Sequence, residues 1–192
     1  MSILDKMVAA VTPPESEEAR REARSRARAS STGSADWLGM VLDHHEQIEA
    51  AFAAVRSAEG AGRILALRQL AVLLTGHSNA EESVLYPAMA RADEKGHALM
   101  AYGEQATAKM QMGLLEGLPP MSQEFLDKLE HIRGAVVHHM YSEEDKWFPE
   151  LVQATLGAEQ SKLGQRYQEE FDRYVGGTTD WEDEPRMTRS GT

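Results

Sequence analysis

Apolar residues recur at steps of three and four along the long central part of this chain. Leu38, Val41, Ile48, Phe52 and Val55 form one such series, Leu67, Leu70, Leu74, Val84 and Ala88 a second, and Phe125, Leu129, Ile132, Val136 and Trp147 another. Steps of three and four bring side chains to one face of an α-helix, the face a bundle buries. Cap and breaker residues bound the helices. Asp36 is an N-cap for a first helix over about 37–59, stopped by Gly60 and Gly62. A second spans about 63–90, with Pro87 bending or ending its last turn. A third covers about 94–116, before Gly117 and the Pro119–Pro120 pair. Ser122 caps a fourth, and Pro149 marks its end. A shorter amphipathic segment follows, over about 158–175. The pattern predicts an all-α fold: an antiparallel up-down four-helix bundle with a short extra C-terminal helix.

Composition supports helix, since Ala, Leu, Glu, Gln, Met and Arg dominate and β-branched runs are scarce. Residues 13–34 are charged and lack a stripe of large apolar side chains. The chain therefore divides into an N-terminal arm over 1–35, mobile or a solvated helix, a bundle over 36–176, and a polar tail over 177–192. Arg20, Arg21, Arg24, Arg26 and Arg28 offer the arm to an acidic protein partner or to self-association. The net charge of −11 argues against a nucleic-acid partner. No apolar run approaches the roughly 20 residues that span a bilayer, and the N-terminus lacks the pattern of a secretory signal. No membrane association and a cytoplasmic location are the expectation. The absence of cysteine removes disulfides, iron–sulfur clusters and thiolate zinc sites.

Polar residues interrupt the stripes. His45 lies in the first series, His77 and Glu81 in the second, and His139 and Glu143 in that of the fourth helix. A buried carboxylate without a partner costs several kcal/mol or becomes neutral. Mutual His–Glu hydrogen bonds are one answer. Two identical His-x-x-x-Glu pairs plus a third stripe histidine favour another, a cation that offsets the carboxylates and takes the imidazole lone pairs. Residues four apart project side by side, so each pair can reach one centre. A carboxylate can bridge two metals. Two half-sites thus suggest two ions, and mixed imidazole–carboxylate donors in a helical core suit iron or manganese.

Three stretches carry a resemblance to a known family. VLDHHEQIEAAF, HSNAEESVLYP and HMYSEEDKWFP resemble the first, second and fourth helix motifs of the hemerythrin-like, or HHE, cation-binding domain, over roughly residues 36–175. Ile48 and Phe52 align the first motif on His45 rather than His44. The resemblance implies a four-helix bundle around an oxo- or hydroxo-bridged pair of irons, with His45, His77 and His139 as terminal ligands and Glu81 and Glu143 as bridges. The family usually has a histidine on its third helix, where this chain reads Glu104-Gln105. Gln105 ligates weakly through its carbonyl oxygen or hydrogen-bonds a bound water, or Glu104 turns in instead. The pair of third-helix histidines that hemerythrin proper carries is absent, which argues against reversible oxygen carriage.

Coordination arithmetic leaves about three of about twelve positions on two six-coordinate ions for Gln105, water, His44 or an exogenous ligand. Exchangeable positions suit a centre that binds and reacts with O2, peroxide or NO, as an oxidase, an oxygenase or a detoxifying protein. A non-catalytic oxygen- or iron-binding or sensing protein is the alternative. His44 lies one step off the stripe and reads as an outer or surface residue. His97, His131 and His138 fall outside the site. Glu82 and Glu144 point sideways as hydrogen-bond or ion-pair partners, and Tyr86, Trp147 and Phe148 read as core aromatics.

Overall fold

The computed structural model describes residues 15–31, 37–92 and 94–177. The helices run in the order α1 (Glu17–Ser30), α2 (Trp37–Ser57), α3 (Gly60–Ala80), α4 (Tyr86–Arg91), α5 (Lys95–Glu116), α6 (Gln123–Ser142), α7 (Phe148–Ala154) and α8 (Gly157–Gly177). Single π-helical turns, Glu81–Leu85 and Glu143–Trp147, join α3 to α4 and α6 to α7. The described residues contain no strand. Residues 1–14, 32–36 and 178–192, and with them the Asp36 cap, lie outside the described residues.

The core falls into two apolar clusters with a polar layer between them. One cluster gathers Leu38, Val41, Val84, Met89, Ala98, Ala101, Trp147 and Leu151; the other gathers Ile48, Phe52, Leu67, Leu74, Met112, Leu115, Leu129 and Val136. Along α2 and α5 the chain leaves the first cluster for the second, and along α3 and α6 it returns. That alternation is the signature of an antiparallel up-down bundle. In each helix the crossing point is a site residue: His45, His77 with Glu81, Gln105, and His139 with Glu143.

Neither proline ends its helix. The wider π turn absorbs each one: the Tyr86 amide donates to the Glu81 carbonyl and the Phe148 amide to that of Glu143, five residues back. Proline lacks an amide hydrogen and its ring crowds the carbonyl four residues earlier; a widened turn relieves that crowding without breaking the rod. The wide turn also returns residue i+5 over residue i, so Tyr86 comes to lie above Glu81.

The arm is docked rather than loose over α1. Ala23 and Ala27 are fully buried, a face too small to stand out as an apolar stripe. Arg24 reaches Glu49 at 2.6 Å and Glu144 at 2.9 Å. Arg26 meets Asp145 at 2.5 Å, and Arg28 meets Asp43 at 2.9 Å and Glu46 at 3.1 Å. Acidic groups of the same chain thus occupy three of the five arginines.

At the far end of the bundle, Gly60 takes a φ of 52°, a left-handed conformation that glycine adopts without strain. This glycine opens α3 rather than only stopping α2. Beside it the buried Arg63 donates to the carbonyls of Ala58 and Pro120, each at 2.8 Å, and ties two loops together. No helix among the described residues is long and apolar enough to cross a membrane. Hydrogen bonds from a charged donor contribute about 1.5–3 kcal/mol each, so Arg63→Ala is expected to lower stability by about 3 kcal/mol in urea unfolding and leave metal content unchanged.

Candidate metal centre

The three-four steps of α2, α3 and α6 bring His45, His77 and His139 to one level of the core, and all three are buried. Each imidazole is held from behind through Nδ1. Glu144 holds His45 at 2.7 Å, the Tyr167 hydroxyl holds His77 at 3.0 Å, and Glu104 holds His139 at 2.8 Å. Each Nε2 consequently faces the two central carboxylates. His77 Nε2 lies 3.3 Å from Glu81 Oε2, His139 Nε2 lies 3.2 Å from Glu143 Oε1, and His45 Nε2 lies 3.4 Å from Glu143 Oε2. Anchoring one ring nitrogen so that the other presents its lone pair is how proteins orient metal-binding histidines.

Glu81 and Glu143 are fully buried. Each turns one oxygen toward His45, at 3.9 Å for Glu81 Oε1 and 3.4 Å for Glu143 Oε2. Each turns its other oxygen toward the Tyr86 hydroxyl, 3.2 Å from Glu81 Oε2 and 2.8 Å from Glu143 Oε1. Tyr86 also meets His139 Nε2 at 3.1 Å, and the Gln105 amide nitrogen donates to Glu81 Oε2 and to the Tyr86 oxygen, both at 2.5 Å. One side of the site is thus closed by Tyr86 and Gln105. On the other, His45 Nε2, Glu81 Oε1 and Glu143 Oε2 are shielded from solvent without a hydrogen-bond partner, and so is Gln105 Oε1. One ligand atom each from His45, His77, Glu81 and Glu143 lies within 4.8 Å of the others. Buried lone pairs without a donor are costly. Converging imidazole and carboxylate atoms of this kind fit a cation, which would neutralise all of them at once.

Without a cation, protons take up part of that role. Burial opposes charge on His45 and His139, but the surrounding carboxylates outweigh it, holding His45 well above its ordinary value and pushing His139 up to about 10. Burial and the Glu143 charge push Glu81 up to about 7. Burial works the same way on Glu143, yet His139 and His45 hold it well below the carboxylate range. Burial and the neighbouring His45 charge keep His77 neutral.

Four of the five expected ligands, His45, His77, Glu81 and Glu143, therefore converge, while His139 stands beside Glu143 at the Tyr86 and Gln105 side. Glu104 and His44 do not join them. Glu104 is spent on the back of His139. His44 turns its Nδ1 to the Tyr167 hydroxyl at 2.9 Å, because its place one step off the stripe faces α8 instead of the centre. Glu82 pairs with Lys109, His97 with Glu94 and His138 with Glu15. Tyr86 is a central member of the site rather than a core aromatic alone, and Tyr167 is a second residue missed. The signal for Tyr86 was its spacing of five from Glu81 just before a proline; the signal for Tyr167 was its place with Leu163 and Phe171 in the stripe of the last helix.

Fold and site together define a helical bundle built to bind a cation. The hemerythrin HHE cation-binding domain model matches residues 38–151, and the chain belongs to that family. The crystal structure of a hemerythrin HHE cation-binding domain-containing protein from Mycobacterium kansasii has the same fold, with a TM-score of 0.68 and 20% identity over 79% of this chain and 94% of that one. A DNA nickase of Nostoc sp. is 30% identical over 89 residues, which are 46% of this chain; the match spans only 25% of that relative.

His45 and His139 hold their protons in the folded metal-free protein well above the value of 6.5 at which the unfolded chain releases them. Their contribution to stability is complete below that value and is lost as pH climbs toward about 10. Urea unfolding of the metal-free protein is expected to show falling stability across this window, and His139→Gln is expected to flatten the slope.

Proposed function

We propose that the protein holds two iron ions, with manganese the other metal the donors suit, and that it binds and reacts there with O2, peroxide or NO. The observation carrying this reading is the set of buried, unpartnered atoms on His45, Glu81, Gln105 and Glu143 inside a shell of histidines whose other ring nitrogens are already engaged. Glu81 and Glu143, each with one oxygen toward His45 and the other toward Tyr86, would be the carboxylates shared between the ions, and His45, His77 and His139 would be the terminal ligands. When bound, iron supplies a Lewis acid and an electron donor for a small oxidant.

The remaining work belongs to the chain. Tyr86 keeps a hydroxyl proton beside Glu143, where burial followed by the nearby carboxylate charges hold it well above the ordinary phenol range. Apolar layers on both sides of the polar level exclude bulk water. Complete burial of His45, Glu81 and Glu143 favours a diatomic molecule or peroxide over an organic substrate. The link from His45 through Glu144 to α1 favours a second reading, a non-catalytic oxygen or iron sensor whose peripheral helix registers the state of the centre.

Anaerobic loading with iron(II), metal analysis and exposure to O2 or peroxide separate these readings. Two irons per chain with sustained consumption of oxidant is the expected result. Loading without turnover would select the sensor. Zinc alone, or no bound metal, would overturn the proposal.

A further inference from the structure

Two helices, α1 and α8, add no ligand of their own and lie outside the residues the family model matches, 38–151. Each nevertheless reaches the back of one histidine. From α8, the fully buried Tyr167 places its hydroxyl 3.0 Å from His77 Nδ1 and 2.9 Å from His44 Nδ1. If His77 offers its Nε2 lone pair to a metal, its Nδ1–H donates to the Tyr167 oxygen, and the Tyr167 proton then passes into a hydrogen bond with His44 Nδ1. The same helix clamps the far end of this relay, since Phe171 stacks on His44 with ring centres 4.0 Å apart. Gly76 permits the approach: a Cβ there would come within 2.9 Å of Val175 Cγ2, one residue before His77.

From α1, Arg24 donates through Nε to Glu144 Oε1 at 2.9 Å, the oxygen that also takes His45 Nδ1 at 2.7 Å. Glu144 is 1% exposed. Arg24 is therefore the cation that keeps a buried carboxylate in place behind His45, and its second arm is fixed by Glu49 at 2.6 Å. Arg26 and Arg28 make exposed ion pairs, a kind that contributes little, and do not touch Glu144.

We propose that Arg24 and Tyr167 are positioning residues of the metal centre, so that α1 and α8 act as clamps that hold His45 and His77 in ligating orientation and slow the loss of metal. This rests on the reading that the centre binds metal. Outer partners of ligating histidines are typically worth 10–100-fold in metal affinity. The geometry gives Tyr167 a specific role, because the hydroxyl alone makes the contact and a phenyl ring would still fill the space.

The test loads the full-length protein with iron(II) and follows release of the metal to excess chelator, well below the unfolding temperature of the metal-free form. Cobalt(II) loading reports ligand geometry through its visible bands. Tyr167→Phe and Arg24→Gln are each expected to release iron about 10–100-fold faster than wild type and to shift the cobalt bands. The double variant Arg26→Gln/Arg28→Gln, which loosens α1 without touching Glu144, is expected to stay within about twofold. Arg24→Lys, which keeps a cation near Glu144, should fall between wild type and Arg24→Gln, and stands in for it if Arg24→Gln does not fold. Wild-type release and spectra in Tyr167→Phe, or equal acceleration in Arg24→Gln and the double variant, would overturn the proposal. A wild-type protein that takes up no metal would instead sink the underlying reading.

Discussion

Burial of two carboxylates and three imidazoles at one level of a helical bundle is the constraint around which the molecule is arranged. In a low-dielectric interior each unpaired charge costs several kcal/mol, so several neighbouring elements face the layer with a polar group. Glu144, Tyr167 and Glu104 hold the backs of the three histidines. Tyr86 and Gln105 cover one side of the carboxylates. The unpartnered atoms of His45, Glu81 and Glu143 converge, and this convergence separates a site from a merely satisfied polar core. Apolar clusters above and below seal the layer from water.

The backbone bends to the same demand. Both candidate ligand glutamates open a π turn, and both turns precede a proline. The extra residue in each turn resolves the steric conflict of the proline and changes which side chains face the centre. On α3 it carries Tyr86 over Glu81, where an unbroken α-helix would have pointed that ring elsewhere. On α6 it carries Phe148 into the apolar cluster, edge-on to Trp37 at 5.4 Å. One local distortion thus serves the proline, the core and the site.

Symmetry in the motifs does not make the centre symmetric. The His-x-x-x-Glu repeats of α3 and α6 are alike in sequence, yet a neutral phenol stands behind His77 and a carboxylate behind His139. Gln105 spends its amide hydrogens on Glu81 and Tyr86. The two sides therefore differ in the charge and hydrogen bonding of the groups that face them.

The helices, their alternating packing and the burial of His45, His77, Glu81, His139 and Glu143 were legible in the chain itself, because helical periodicity and the high cost of burying charge are local, strong signals. Pro87 and Pro149 were legible as perturbations but not in their outcome: whether a helix ends or widens depends on what waits beyond it to be packed. The docking of α1 was hidden because alanine carries little apolar signal and the acids that bind its arginines lie far along the chain. Glu104, Glu144, Tyr167 and Tyr86 acquired their roles only in three dimensions. A hydrogen bond depends on direction and distance between groups that the sequence sets 35, 99, 90 and 57 positions apart. Sequence alone determined which residues must gather; the tertiary structure decided which face the centre and which stand behind, because only packing sets the angle from which each side chain arrives.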